Sequence, residues 1–110
     1  MRYAAIDIGS NAIRLLIADV VENQKIISFK KNTFIRVPLR LGHDAFTDKH
    51  ISDEKVKDLV KTMTAFSYLI KVFDVQDYMA CATSAMREAK NGPSIVKKIK
   101  KKTGLNLEII

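Results

Sequence analysis

The segment Asp7-Ile8-Gly9-Ser10-Asn11 contains residue types suited to binding a phosphate group. Glycine at the turn lets the backbone adopt a positive φ and approach a ligand without an intervening Cβ. The amides of Gly9, Ser10 and Asn11 are then expected to point at one phosphate, with the Ser10 and Asn11 side chains as further donors. Asp7 and phosphate are both anionic, so Asp7 is expected to serve the catalytic site by holding Mg²⁺, directly or through water.

Two arginines extend this candidate site. Arg14 follows Asn11 by three residues, and Arg87 lies in the polar segment Thr83–Asn91. An arginine in an apolar strand is unfavourable unless paired, and its planar guanidinium suits phosphate bidentately. A structural ion pair is the alternative for each arginine, and the Gly-Ser-Asn turn can equally serve only to join two strands. The residues alone leave both interpretations open.

The apolar periodicity predicts the elements that position these residues. Short apolar runs separated by the 9–11 and 22–24 turns predict a three-stranded antiparallel meander with strands at Arg2–Ile8, Ala12–Val20 and Lys25–Phe34. The segment Arg36–Lys49 is expected to be irregular because it contains proline, glycine and aspartate. Ser52 is expected to cap a long amphipathic helix that ends near 72–74.

The second half of the chain predicts helix-linked strands. The expected elements are a strand at Asp77–Ala82, a loop or short helix within Thr83–Asn91, a helix that begins at Gly92-Pro93 and ends at Gly104, and a last strand at Leu105–Ile110. The element order is therefore strand, strand, strand, helix, strand, helix, strand. This order predicts an α/β domain of the ribonuclease-H-like class with right-handed crossovers.

Composition narrows the possible classes of protein. The chain has 110 residues, 47% of them apolar, which is consistent with one small domain. No apolar run approaches the roughly 20 residues that span a membrane. Cys81 is the sole cysteine, so an intrachain disulfide is excluded and a reducing compartment, by default the cytoplasm, is expected.

The net charge favours polyanionic partners. It is +7, and much of it lies in a run of lysines at positions 97, 98, 100, 101 and 102. Such a run can be a solvated helix face or a surface that guides a polyanion. Charge alone does not separate polyphosphate from RNA.

Two segments resemble one known family. AAIDIGSNAIRLLIADV (4–20) and ATSAMREAKNG (82–92) are similar to the two N-terminal motifs of the exopolyphosphatase and guanosine pentaphosphate phosphohydrolase family, which belongs to the actin-like ATPase superfamily. The intervening VPLRLG (37–42), followed by an amphipathic helix, also resembles the family. The pair of motifs at this spacing is specific, whereas Asp-Xaa-Gly-Ser-Asn alone would not be.

The resemblance implies roles for the candidate residues. It implies that Gly9–Asn11 binds phosphate and that Asp7 belongs to the metal and catalytic site, with Mg²⁺ as the cofactor. It further implies that Arg14 and Arg87 contact the phosphates of polyphosphate or guanosine pentaphosphate. Asn91 matches a motif asparagine for which a structural role, capping the helix at Pro93, is expected.

The resemblance also implies that the catalytic machinery is divided. The general-base glutamate of the family is expected beyond Ile110, and neither Glu88 nor Glu108 matches it. Glu88 is expected to be a surface or ion-pairing residue, and Glu108 an outward strand residue. Residues 1–110 are thus expected to form the N-terminal half of a larger two-lobed enzyme whose C-terminal lobe is absent, and to bind phosphate without turnover.

The partners expected on this basis are polyphosphate or guanosine pentaphosphate and the chain's own C-terminal domain. No membrane partner is expected, and a dimer of the whole protein stays open. A nucleic-acid-binding module is the alternative from another class, disfavoured because no aromatic residues are interleaved with the lysines. Half of an actin-like ATPase or sugar kinase is the third interpretation.

Overall fold

A five-stranded mixed sheet organises the computed structural model, which describes residues 1–110. Its strands are β1 (Arg2–Ile8), β2 (Ile13–Asn23), β3 (Ile26–Val37), β4 (Asp77–Ala82) and β5 (Glu108–Ile109), in the order β3-β2-β1-β4-β5. β1 pairs antiparallel with β2, and β2 with β3, whereas β4 is parallel to both β1 and β5. The antiparallel meander followed by parallel strands confirms the predicted topology.

Four helices connect the later strands. They are α1 (Leu41–Asp48), α2 (Asp53–Val72), α3 (Ser84–Glu88) and α4 (Gly92–Thr103). The Ser52 hydroxyl accepts a hydrogen bond from the Lys55 amide at the start of α2, and Gly104 closes α4 with a left-handed φ of 78°, both as predicted. No helix, including the 20-residue α2, is both long and apolar enough to cross a bilayer.

One face of the sheet carries the core. Alternate residues of the central strands are buried, and they form one apolar cluster with side chains of α2 and α4; the larger members are Ile6, Ile8, Ile13, Leu15, Ile17, Leu59, Met63, Phe66, Ile95 and Ile99. Because side chains alternate along a strand, the intervening residues of the sheet lie on the opposite face. Asp7 and Arg14 belong to that second face, where both are about half exposed.

The prediction of an irregular segment at Arg36–Lys49 is wrong. β3 continues to Val37, and α1 occupies Leu41–Asp48. Glycine usually weakens a helix, but Gly42 lies in the first turn of α1, where its missing side chain allows a close approach to Ser10. A tertiary contact therefore explains the glycine at this position, and local helix propensity does not reveal that contact.

The lengths of two other elements also differ from expectation. The β2–β3 hairpin continues to Asn23 and Ile26, because Gln24 and Lys25 both adopt a positive φ (48° and 72°) in a two-residue turn without glycine. At the other end of the sheet, β5 is confined to Glu108–Ile109, whereas a strand over Leu105–Ile110 was expected. Leu105 and Leu107 are buried in the apolar cluster but are not part of the ladder.

A buried carboxylate connects α1 to the start of α2. Asp44 accepts hydrogen bonds from the Ser52 amide and from Lys55 Nζ, each at 2.9 Å. Lys55 Nζ also donates to the Arg40 carbonyl at 2.9 Å. The bonds from Ser52 and Lys55 lower the pKa of Asp44 from 3.8 to about 2. These bonds join α1 to the first turn of α2.

We predict an acid-sensitive contribution to stability from Asp44. Its pKa is lowered by folding, so the stabilisation is complete above pH 4 and is lost as the pH falls through about 2. Asp44→Asn should lower the free energy of unfolding at pH 6 by about 1–2 kcal/mol, after allowance for solvent screening. The deficit should shrink toward pH 2, measured by urea unfolding across that range. The exposed Asp58→Asn is the control, and a deficit independent of pH would contradict the assignment.

Gly92 sets the packing between α3 and α4. It is buried at the start of α4, and a Cβ there would overlap the Met86 carbonyl oxygen. Since that oxygen belongs to the backbone, a rotamer change cannot relieve the overlap. Only glycine fits at this position without displacement of one helix.

Gly92→Ala should therefore destabilise the chain by about 3 kcal/mol through overpacking. Gly104→Ala provides a matched control, since a Cβ there meets no atom within 4 Å and the strain comes only from the positive φ. Its expected effect is about 1–2 kcal/mol. Chemical denaturation of both variants measures the difference, and equal losses would contradict the steric argument.

Candidate functional site

A tight turn at the carboxyl end of β1 contains the predicted phosphate-binding residues. The Gly9 amide donates to the Ala12 carbonyl at 3.0 Å and closes the turn. Gly9 does not adopt a positive φ, so the predicted conformational reason for this glycine is wrong. The reason is instead close packing, because a Cβ on Gly9 would lie 3.2 Å from the Ala12 oxygen. The Gly9 amide is thus already engaged, unlike what the sequence suggests.

The carbonyl groups of the turn are held by Arg40 and Gly42, at the start of α1. The Gly42 amide donates to the Ser10 carbonyl at 2.9 Å, and the Arg40 amide donates to the Asn11 carbonyl at 3.0 Å. Arg40 adopts a left-handed conformation (φ 55°, ψ 50°), which is unusual for a residue with a side chain. Because both carbonyls accept these hydrogen bonds, the conformation of the turn is fixed by residues outside it.

The amide groups of the same two residues are unpartnered. Neither the Ser10 nor the Asn11 N–H donates a hydrogen bond within the chain. The Ser10 hydroxyl lies 3.4 Å from the Ser84 hydroxyl, at the first residue of α3, and the Thr83 amide donates to the Ile8 carbonyl at 3.2 Å. These two contacts bring the second family motif (82–92) against the first (4–20). The turn offers two backbone donors and neighbouring hydroxyls to an anion.

Asp7 and Arg14 are direct neighbours across the β1–β2 ladder. Arg14 Nη1 lies 3.7 Å from Asp7 Oδ2, and the two side chains are 50% and 46% exposed. An ion pair this open contributes about 0–1 kcal/mol. The predicted structural alternative for Arg14 therefore exists, but it is weak and leaves the guanidinium without a hydrogen bond in the chain.

Arg87 lies in α3, which follows β4 at the same edge of the sheet. The carboxyl ends of the parallel strands β1, β4 and β5 meet at this edge. Arg87 is exposed and donates from Nη1 to the backbone oxygen of Ile110, and it forms no ion pair with an Asp or Glu side chain. No hydrogen bond joins Arg87 to Ser10 or Asn11, and its predicted role stays a prediction.

One carboxylate is available at the turn for a metal ion. No cluster of three or more His, Cys, Asp or Glu side chains that could hold a metal occurs in the chain. Mg²⁺ is commonly bound through one or two carboxylates together with water and substrate phosphates. Asp7 fits that mode of binding, whereas a site built entirely from protein ligands does not fit.

Asn91 has the predicted structural role but a different partner. It occupies the N-cap position of α4 without a capping hydrogen bond from its side chain. Instead, its amide group bonds both the N–H and the carbonyl of Ile51, at 3.0 and 2.9 Å. The second motif therefore also fixes the segment that leads into α2.

The remaining charged residues are found at the surface. Glu88 forms an exposed ion pair with Lys49 at 3.6 Å, and Glu108 is exposed on β5, both as predicted. The lysines of α4 (97, 98, 100, 101 and 102) are all exposed.

Sequence reasoning did not find Arg40 and Gly42, because their importance lies in backbone amides that contact a turn some 30 residues earlier.

Comparison with known proteins places this geometry in a family. A sequence profile of the Ppx/GppA phosphatase family matches residues 16–110. The chain is 30% identical to the bifunctional 3-dehydroquinate synthase/phosphatase of Fusobacterium nucleatum, covering 97% of this chain and 17% of that protein. It is 27% identical to exopolyphosphatase 1 of Mycobacterium leprae, covering 100% of this chain and 32% of that protein. The chain thus spans a third or less of the length of these relatives.

Solved structures agree with the sequence comparison. The crystal structure of the Aquifex aeolicus member of the Ppx/GppA protein family matches with a TM-score of 0.89 and 29% identity, over 100% of this chain and 35% of that chain. Thermus thermophilus RuvC shares only the fold, with a TM-score of 0.55 and 15% identity over 99% of this chain and 60% of that one. The domain is ribonuclease-H-like, as the element order predicts. The chain belongs to the Ppx/GppA phosphatase family.

The close packing of Gly42 on Ser10 generates a prediction. A Cβ at position 42 would lie 2.9 Å from Ser10 Cβ and 3.0 Å from the Phe46 ring. Gly42→Ala should therefore displace the turn, shift the backbone amide NMR resonances of Ser10 and Asn11, and destabilise the chain by about 1–3 kcal/mol. His43→Ala, at the next and exposed position of α1, is the control. Unchanged Ser10 and Asn11 resonances in the Gly42 variant would contradict the contact.

Proposed function

We propose that this chain is the phosphate-binding part of a phosphatase that hydrolyses the terminal phosphoanhydride of inorganic polyphosphate or guanosine pentaphosphate. The observation that carries the proposal is the turn after β1, where the Ser10 and Asn11 amides are unpartnered beside the open Asp7–Arg14 pair. Membership of the Ppx/GppA family and the similarity to an exopolyphosphatase support this class of substrate.

The turn is suited to the charge of a terminal phosphate. Two backbone amides and the Ser10 hydroxyl can donate hydrogen bonds to its oxygens, and their carbonyls are already fixed by Arg40 and Gly42. Donors positioned before the substrate arrives need little reorganisation during reaction. Arg14 adds a positive charge at the adjacent strand and can exchange its weak contact with Asp7 for a stronger one with phosphate.

Asp7 is proposed to hold Mg²⁺ together with water and substrate oxygens. When bound there, the ion would neutralise phosphate charge. Asp7 and phosphate are both anionic, so Asp7 could not contact phosphate favourably by itself. The ion pair with Arg14 leaves the Asp7 side chain about half exposed and accessible to a ligand. The role of Arg87 in contacting a phosphate belongs to this proposal as well, since it lies at the same edge of the sheet.

The water that attacks phosphorus needs a general base. Glu88 is engaged with Lys49 and Glu108 is exposed on β5, and neither corresponds to the glutamate that the family resemblance assigns to this role. Residues 1–110 are therefore proposed to position the phosphate, while the proton is removed by a residue outside them. Binding without turnover is the expected behaviour of this chain.

Titration calorimetry with inorganic tripolyphosphate and Mg²⁺ tests the proposal. Arg14→Gln should weaken binding about tenfold, the size expected for loss of one charge-assisted contact. Lys98→Gln, which removes the same charge from α4, is the control and should have little effect. Far-ultraviolet circular dichroism establishes that both variants are folded.

Three outcomes would count against the proposal. Failure of the unsubstituted chain to bind tripolyphosphate would refute phosphate binding. Equal affinities of the Arg14 and Lys98 variants would refute the placement of the site. Release of phosphate by residues 1–110 at about 1 s⁻¹ or faster, the usual range of enzymes, would refute binding without turnover.

A further inference from the structure

A third charged residue continues the Asp7–Arg14 row across the sheet. Arg14 pairs with Asp7 on one side and with Arg36 of β3 on the other. Residues paired across neighbouring strands share one face of the sheet. The flanking residues Ile35 and Val37 pack against the core, so Arg36 lies on the opposite, open face with Asp7 and Arg14.

The two arginines stand directly opposite one another on β2 and β3. Like charges directly opposite on adjacent strands are destabilising. Arg36 is exposed and forms neither an ion pair nor a side-chain hydrogen bond, and the one acidic contact of Arg14 is the 3.7 Å approach to Asp7. Two guanidinium groups thus share one face with most of their donors free. A local arrangement that lowers stability in this way is typical of a binding site.

We infer that Arg36 is a further phosphate-binding residue, which with Arg14 holds the second and later phosphates of an oligophosphate. This inference rests on the proposed function. Strands are spaced about 4.8 Å apart, so a ligand bound at the turn must extend by roughly one to two strand widths to reach Arg14 and then Arg36. An isolated orthophosphate is too short to contact both the turn and Arg36. Arg36 therefore selects for chains of linked phosphates.

A charged residue on an edge strand also has a simpler role. β3 is the outermost strand on its side of the sheet, and charges on such strands prevent pairing with other molecules. Lys30 lies on the same strand, six residues or about 20 Å from Arg36, and is likewise exposed. If edge protection were the whole role of Arg36, both residues would be equivalent in ligand binding.

The experiment compares Arg36→Gln with Lys30→Gln in the 110-residue chain. Each substitution removes one positive charge from β3. Dissociation constants for inorganic tripolyphosphate and for orthophosphate are measured by calorimetry at two salt concentrations. Arg36→Gln should weaken tripolyphosphate binding about tenfold and make it less sensitive to salt, with less than a twofold change for orthophosphate. Lys30→Gln should change neither constant by more than about twofold.

The possible outcomes separate this inference from the proposed function. Equal tripolyphosphate affinities of the two variants would overturn the role of Arg36, while binding by the unsubstituted chain would leave the proposed function in place. An equal loss of orthophosphate and tripolyphosphate binding in Arg36→Gln would overturn the selection for linked phosphates. Absence of any binding by the unsubstituted chain would overturn both. Arg36→Lys, which keeps the charge, should restore part of the affinity for tripolyphosphate.

Discussion

The pairing of β1 on both of its edges determines the geometry of the whole candidate site. Its antiparallel register with β2 places Arg14 opposite Asp7, and its parallel register with β4 brings Thr83 and the start of α3 to the turn. A slip of one residue would exchange the two faces of the strand. Asp7 would then face the apolar core, and an isoleucine would take its place beside Arg14. Burial of Ile6 and Ile8 therefore fixes the position of Asp7.

The carbonyl and amide groups of the turn differ in whether they have partners. The Ser10 and Asn11 carbonyls accept hydrogen bonds from Gly42 and Arg40 at the start of α1, which Asp44 and Lys55 in turn connect to α2. The corresponding amides are left unpartnered. Hydrogen bonds to both carbonyls restrict the conformation of the turn, so little ordering would be needed if an anion binds as proposed.

Much of this organisation was predictable from local signals. Periodicity identified every strand and the helices α2 and α4, because an amphipathic pattern and a cap are properties of neighbouring residues. The first helix was missed, since Gly42 and Pro38 are typical of loops and the contact that favours glycine comes from Ser10. Asn91 was expected to cap a helix, but its side-chain amide bonds the backbone of Ile51 instead. Both of these errors concern a residue whose role depends on a partner distant in sequence.

The sequence by itself determined the α/β class, the order of the elements and the two motifs that mark the family, because these depend on residue types at short spacing. Only the tertiary structure decided which backbone amides of the turn are free. The Gly9 amide donates to the Ala12 carbonyl, whereas the Ser10 and Asn11 amides have no partner. It also decided that Arg36 stands beside Arg14. The physical reason is that strand register is set by burial of one entire face against helices. No local pattern specifies which residues of distant strands then become neighbours.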